Sequence, residues 1–212
     1  MATLETFGKD LRDDDYFEYT QLQPFYEAIK GLKNDPSSED IQRFMRKAPI
    51  FVKYQKQQEL FHSKRKNALL NDIKTLMGLC SRPTDETLRS IIKEDKSARW
   101  MVLFGERLGA YLTLSGVSTS QIRKAYGVVK NLDMTLSTLP ADAEMDMYSY
   151  RQLLLLKPRL AYAAKKEGGG MNQLSEILGK AIYESVKSVG DFSRFSQFFE
   201  AILAYHKAYG GK

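Results

Sequence analysis

Hydrophobic residues recur every three or four positions along almost the whole chain, and the alternation typical of strands is nearly absent. The predicted helices cover about residues 20–34, 64–79, 84–93, 96–114, 118–132, 142–166, 171–188 and 191–208, and another opens at Ser37 or Ser38. The glycine run 168–170 interrupts this pattern. We therefore expect an all-α helical bundle.

Local signals predict how several of these helices begin. Thr20 is expected to cap the first of them, and Ser118 with Gln121 has the spacing of a capping box. Pro158 falls inside the predicted helix 142–166. An aromatic stripe in the last helix, Phe192, Phe195, Phe199, Ile202 and Leu203, is expected to face the core, and His206 is expected to be structural or exposed.

The helix over 118–132, STSQIRKAYGVVKNL, has one apolar side and one basic side. Its apolar positions are Ile122, Ala125, Val129 and Leu132, and its basic positions are Arg123, Lys124 and Lys130. Gly127 lies in the middle of the basic side, where glycine costs a helix about 0.5–1 kcal/mol relative to alanine. Two explanations are open: Gly127 packs under another helix, or it leaves the backbone open to a phosphate or a sugar.

The chain shows an internal similarity at a spacing of about 100 residues. TQLQPFYEAIKGL (20–32) aligns with SQIRKAYGVVKNL (120–132), with identical Gln, Tyr, Lys and Leu. Residues 43–57 then resemble 152–166, and 67–76 resemble 173–182, in the same order. A tandem duplication would explain this order. We therefore expect an N-terminal helical region over 1–82, a diverged repeat, and a C-terminal bundle over 83–212.

Charge is distributed unevenly. The net charge is +6, but residues 1–40 hold 4 basic and 10 acidic side chains, whereas residues 41–82 hold 10 basic and 2 acidic ones. Clustered positive charge with a pI near 9.2 favours a polyanionic partner. A merely solvated basic surface is the alternative, because charge bears on partners and not on fold.

Residues for common catalytic chemistry are scarce. The chain has 1 cysteine and 2 histidines, too few for a zinc site, and no phosphate-binding glycine loop. The acidic run Asp13–Asp15 is interpreted as a solvated segment and not as a magnesium site. We expect no enzyme, cofactor or metal. A signal peptide and a membrane span are also absent from the pattern, so we expect a cytoplasmic protein.

A second basic helix face follows the first. Arg159, Tyr162 and Lys166 share one side of the helix, with Lys165 beside them. In the first half, Arg46 and Lys53 are the corresponding cations. Lysine and arginine on a helix face can follow phosphates, which positions a nucleic-acid strand without reading its sequence.

Two stretches together resemble a known family. TSQIRKAYGVVKNL followed by LLLLKPRLAYAAKK is similar to the small subunit of type III-A CRISPR–Cas effector complexes, the Csm small subunit. The family shows a Q-[IL]-R-[KR]-[FY] helix start and then L-K-P-[RK]-L-A-Y-A, and the likeness covers about 95–209. Ala125 stands where the family often has an aromatic residue, and Lys165–Lys166 stand where it often has arginine. Both departures keep the positive charge.

The resemblance implies a non-catalytic RNA-binding scaffold subunit whose copies stack along the effector and line the guide–target RNA channel. Its expected partners are the guide RNA–target RNA duplex, other CRISPR effector subunits and further copies, with no membrane. The RNA-binding residues implied are Arg123, Lys124, Lys130, Arg159, Lys165 and Lys166, joined by Arg46 and Lys53 if the first half is a copy. The alternatives are a stand-alone helical nucleic-acid-binding module and an interaction subunit for acidic proteins.

Overall fold

The computed structural model describes residues 3–62 and 64–212, and within these residues it contains helices and no β-strand. The helices are α1 (Leu4–Asp13), α2 (Tyr19–Gly31), α3 (Ser38–Lys47), α4 (Ile50–Lys53), α5 (Lys66–Cys80), α6 (Asp85–Lys93), α7 (Ala98–Leu114), α8 (Thr119–Leu136), α9 (Met147–Leu154), α10 (Leu156–Glu167), α11 (Gly169–Lys180) and α12 (Val189–Ala208). The predicted all-α class is confirmed. The chain divides into two compact units, Met1–Ser81 (unit 1) and Arg82–Lys212 (unit 2).

Unit 1 has its own hydrophobic core. Helices α1 and α2 pack on α5, and α3 packs on α2. Phe25, Phe51 and Phe61 meet edge to face at the centre, with ring centroids 5.2–5.6 Å apart. Such aromatic pairs contribute about 0.5–1.5 kcal/mol beyond the area they bury. These contacts hold together a unit that has no internal disulfide, since the chain contains a single cysteine, Cys80.

Unit 2 is organised around the pair α7 and α12, with α6 and α8 also packed on α12 and α10 packed on α11. The predicted aromatic stripe of α12 is confirmed: Phe192, Phe195, Phe199 and Ile202 are buried, and Leu203 is partly buried. From the other side, Phe104, Leu108 and Leu112 of α7 join the same core.

Two glycines of α7 allow α12 to come unusually close. A Cβ on Gly109 would lie 2.7 Å from the backbone nitrogen of His206 and 2.8 Å from the backbone oxygen of Ile202. One turn earlier, a Cβ on Gly105 would lie 2.8 Å from the Cβ of Ala201. The backbone of α12 therefore rests directly against α7, where no larger side chain fits without movement.

The single helix predicted over 142–166 is wrong. The structure has two helices, α9 and α10, and residues 141–146 precede them outside any helix. The Met145 amide donates to the Lys187 carbonyl at 3.3 Å, and the Val189 amide donates to the Ala143 carbonyl at 2.9 Å. These contacts compete with helix formation. The break at Leu155 also places Pro158 in the first turn of α10, where a missing amide hydrogen is tolerated.

Two predicted helix caps are also wrong. Helix α2 begins before Thr20, and its N-cap Glu18 makes no capping bond. Ser118 does cap α8, but its hydroxyl accepts from the Ser120 amide, and the buried Oε1 of Gln121 has no partner among the described residues. The predicted start at Ser37 is confirmed, and Ser37 forms a capping box with Asp40.

The internal similarity has a partial structural counterpart. Helices α2 and α8 bury matching positions, Leu22 with Ile122 and Ile29 with Val129. The neighbours differ, however, because α5 packs on α1 and α2, whereas its counterpart α11 packs mainly on α10. The tandem origin of residues 1–82 stays a prediction.

The close α7–α12 contact predicts that Gly109→Ala destabilises unit 2. Alanine favours a helix by about 1 kcal/mol over glycine, but here its methyl group would meet backbone atoms that cannot rotate away. We expect the free energy of unfolding to fall by about 1–3 kcal/mol. Denaturant titration followed by Trp100 fluorescence measures it, since the only tryptophan lies on α7.

Gly127→Ala is the matched control. Nothing lies within 4 Å of a Cβ built on Gly127, so only the gain in helix propensity, about 0.5–1 kcal/mol, should remain. An equal change in the free energy of unfolding in Gly109→Ala and Gly127→Ala would contradict the close contact of α7 with α12.

Candidate nucleic-acid interface

Helix α8 is held in place through its apolar side. Ile122, Val129 and Leu132 are buried, and α8 packs on α12. The ring of Tyr126 meets Phe199 of α12 edge to face, with centroids 5.4 Å apart. These contacts set the rotation of α8 about its axis, so its polar side faces away from the core.

The start of α8 is anchored by a buried histidine. His206 is fully buried, and its Nε2 lies 2.9 Å from the Val117 carbonyl oxygen. Burial lowers the pKa of His206, which keeps the ring neutral and lets one nitrogen donate to that carbonyl. The Thr119 amide also donates to the Lys212 carbonyl at 2.5 Å. His206 is therefore structural, as predicted, and it positions the turn that precedes Arg123.

The basic side of α8 lies open to solvent. Arg123, Lys124, Gly127 and Lys130 are all exposed. Because nothing described lies within 4 Å of a Cβ on Gly127, the explanation that it packs under another helix is wrong. Gly127 therefore lies between Arg123 and Lys124, one turn before it, and Lys130, one turn after it. The backbone of α8 is accessible at that point.

The cations of α8 differ in their surroundings. Lys130 Nζ lies 3.1 Å from Asp133 Oδ2, and the hydrogen bond to Asp133 raises the pKa of Lys130. Arg123 and Lys124 have no ion-pair partner in the part of the chain that the structure describes. These two side chains offer uncompensated positive charge to an anionic ligand.

Helix α10 presents a second basic face. Leu156, Leu160 and Ala164 are buried, and α10 packs on α8 and α11. The opposite side exposes Arg159, Tyr162, Lys165 and Lys166. Arg159, Lys165 and Lys166 form no ion pair with any residue whose side chain the structure describes. Lys157 differs, because its Nζ lies over the ring of Tyr183, 5.1 Å from the centroid.

The two candidates in unit 1 are placed differently from each other. Arg46 is exposed near the end of α3. Lys53 Nζ lies 2.6 Å from Asp14 Oδ2, so its charge is engaged inside unit 1. The prediction that Asp13–Asp15 form a solvated run is wrong for Asp14, which is buried.

The carboxylate of Asp14 accepts hydrogen bonds from two side chains and a backbone amide. These donors are Lys53 Nζ, the Tyr54 hydroxyl at 3.0 Å and the Tyr16 amide at 3.1 Å. Burial alone would raise the pKa of Asp14, but these bonds hold it below its usual range. Asp14 therefore joins the end of α1 to α4 as an ionised group.

Two exposed arginines were not among the binding residues predicted from the sequence. Arg43 lies one turn before Arg46 on α3, with its Nη1 3.9 Å from Asp40, and Arg151 is exposed on α9. The spacing of three residues from Arg43 to Arg46 is the signal that would have found the first. Nothing in the sequence marked Arg151, because the break between α9 and α10 was not predicted.

A comparison with models of known protein families shows the family to which this chain belongs. The model for Csm2 Type III-A matches residues 95–212, which is more than half of the chain. The chain belongs to the Csm2 type III-A family. No curated protein and no solved structure matches it. Csm2 is a small structural subunit of the type III-A CRISPR effector, so this protein is a subunit of that complex and associates with the other Csm subunits.

The Csm2 match confirms the resemblance, and its extent agrees with the likeness seen in the sequence over 95–209. It contains all of α7–α12, and with them the basic faces of α8 and α10. Unit 1 and α6 lie outside it, and so do Arg46 and Lys53. The described residues contain no group of three His, Cys, Asp or Glu that could hold a metal ion. None of their helices is long and apolar enough to cross a membrane.

The buried Asp14 predicts a pH-dependent stability for unit 1 of this Csm2 protein. Because the folded-state pKa lies below the unfolded value, the stabilisation is fully present above about pH 4. It is lost as the pH falls through the folded-state pKa. We therefore expect Asp14→Asn to lower the free energy of unfolding by about 1–2 kcal/mol at pH 7, since Lys53 is partly exposed. The difference from the unmodified protein should disappear at low pH.

Circular dichroism during denaturant unfolding, at several values between pH 7 and pH 3, measures this effect. Asp13→Asn is the control, because Asp13 is 61% exposed. The Trp100 signal reports unit 2 and should not change. If Asp14→Asn and the unmodified protein differ in free energy of unfolding by as much at the lowest pH as at pH 7, the role given to Asp14 is contradicted.

Proposed function

We propose that this Csm2-family subunit lines the channel that holds the guide–target RNA duplex and contacts the target strand through α8 and α10. It does so without catalysing a reaction. Copies of the subunit repeat these contacts along the effector. A surface of this kind suits a complex that must accept any target, because contacts to phosphates hold a strand without reading its bases.

The observation that carries the proposal is the surrounding of Gly127. Residues three and four apart are neighbours on a helix surface, so Arg123, Lys124 and Lys130 border the bare backbone at Gly127. A phosphate or a ribose can approach that backbone closely because no side chain lies in the way. Arginine then offers a planar fork to phosphate oxygens, and lysine offers a point charge.

Helix α10 supports the proposal independently. Arg159, Lys165 and Lys166 add three exposed cations on a neighbouring helix that packs on α8. In unit 1, Arg46 is the candidate for an additional contact, whereas Lys53 would first have to leave Asp14. We therefore assign the principal RNA contacts to α8 and α10.

The proposal predicts that Arg123→Gln combined with Lys124→Gln weakens target binding. Two lost phosphate contacts should reduce the slope of log affinity against log salt by about 1.4, if each contributes about 0.7 for a single strand. Both positions are exposed, so the unfolding transition should move little. Target RNA titrated into the assembled effector at several salt concentrations measures the slope.

Arg89→Gln combined with Lys207→Gln is the matched control. These residues are exposed on α6 and α12, and the pair removes the same charge. Each complex is first checked for guide RNA and for the other subunits. Equal loss in both double variants would mean that only net charge matters, and no loss in the α8 variant would contradict the proposal.

A further inference from the structure

We propose that Tyr162 stacks on an unpaired base of the bound RNA. Helix α10 is then a contact for a strand segment whose bases are not continuously stacked. The inference rests on the proposed function, since it takes the cations of α10 to hold an RNA backbone. It adds a base contact to a surface otherwise suited to phosphates.

The ring of Tyr162 is exposed and unoccupied. It is 76% exposed, and no described aromatic ring, cation or hydrogen-bonding group engages it. Three other tyrosines of unit 2 have ring partners within the fold, whereas Tyr148 on α9 is also exposed, at 71%. Tyr126 packs on Phe199, Tyr183 lies beneath Lys157, and Tyr150 lies beneath Lys187. Tyr162 therefore has no structural task of this kind within the described part of unit 2.

The neighbours of Tyr162 on the helix surface are cations. Arg159 lies one turn before it, and Lys165 and Lys166 lie one turn after it. All three are exposed, and they span about 10 Å along the helix at 1.5 Å per residue. An aromatic ring between cations is the arrangement by which proteins hold single strands, with phosphates on the charges and a base on the ring.

Charge favours RNA over a protein as the occupant. Helix α10 contains four lysines or arginines, of which Lys157 lies over Tyr183, and its one acidic residue is the last, Glu167. A partner of this face is therefore expected to be anionic. The ring of Tyr162 contributes to binding only if the partner also carries a flat group that can stack on it. A nucleic-acid strand supplies both along its whole length.

The geometry also favours an unpaired base. Within a continuous duplex both faces of every inner base are covered by the neighbouring bases, so a ring has no face to meet. Sequence-tolerant stacking requires a base that is unstacked or at an end. The exposed side of α8 presents no comparable ring in the described residues, because Tyr126 is partly buried. Helix α8 thus contacts the RNA backbone, and α10 also contacts a base.

The test is a titration of the full chain with unstructured single-stranded RNA and with a matched RNA duplex. Stacking contributes about 1–3 kcal/mol per base, so Tyr162→Leu should weaken single-strand binding about 5- to 150-fold. Duplex binding should change little. Tyr162→Phe keeps the ring and should bind like the unmodified protein. A 2-aminopurine base in the strand should report stacking by its fluorescence, and that signal should be lost only in Tyr162→Leu.

Tyr183→Leu is the matched control, since Tyr183 is also exposed, at 63%, but already lies beneath Lys157. Unchanged single-strand affinity in Tyr162→Leu would overturn the inference, and so would equal losses in Tyr162→Leu and Tyr162→Phe, which would indicate a hydroxyl contact. Loss of the subunit from the assembled effector would show that Tyr162 contacts protein instead. If Arg123→Gln with Lys124→Gln still weakens target binding, the proposed function stands even when the stacking inference fails.

Discussion

The close contact of α12 with α7 is the constraint on which unit 2 depends. Because Gly105 and Gly109 have no side chains, the backbones of α7 and α12 can lie against each other at these positions. This closeness lets the phenylalanine stripe of α12 fill the core and also places Phe199 against Tyr126 of α8. The same helix carries His206, which holds the turn before α8. The outward direction of the basic face of α8 therefore depends on how α12 is seated against α7.

Two buried carboxylates, Asp191 and Asp14, bind some of the cations of this chain, whereas other cations remain exposed to solvent. Asp191 accepts from Lys93 at 2.5 Å and from the amides of Lys187 and Ser188 at 3.0 Å, and it thereby ties α6 to the start of α12. Asp14 engages Lys53 in unit 1 in a comparable way. Cations held like this contribute to the fold. The cations around Gly127 and Tyr162 are outside such arrangements, apart from Lys130, and this difference separates candidate ligand-binding residues from structural ones.

Periodicity alone predicted the features that depend on local sequence. The register of α8, with Ile122 and Val129 inward and Arg123 outward, follows from the 3.6-residue repeat, and so does the core stripe of α12. The late start of α9, at Met147, did not follow, because it depends on hydrogen bonds that join residues 143–145 to residues 187–189, far along the chain. The burial of Asp14 was also unforeseen, since its partners Lys53 and Tyr54 lie about 40 positions away. Sequence alone could not distinguish Gly109 from Gly127, because both lie within helices. The structure shows that Gly109 contacts a neighbouring backbone and that Gly127 faces open space.

The most direct test of the account is the affinity of the assembled effector for target RNA when Gly127 is replaced by alanine and then by leucine. Both substitutions keep every cation of α8 and meet no described atom within 4 Å of the added Cβ. If the RNA backbone approaches α8 at this point, affinity should fall with the size of the side chain while the fold is retained. Unchanged or tighter binding in the leucine variant would contradict a close approach of RNA to this helix.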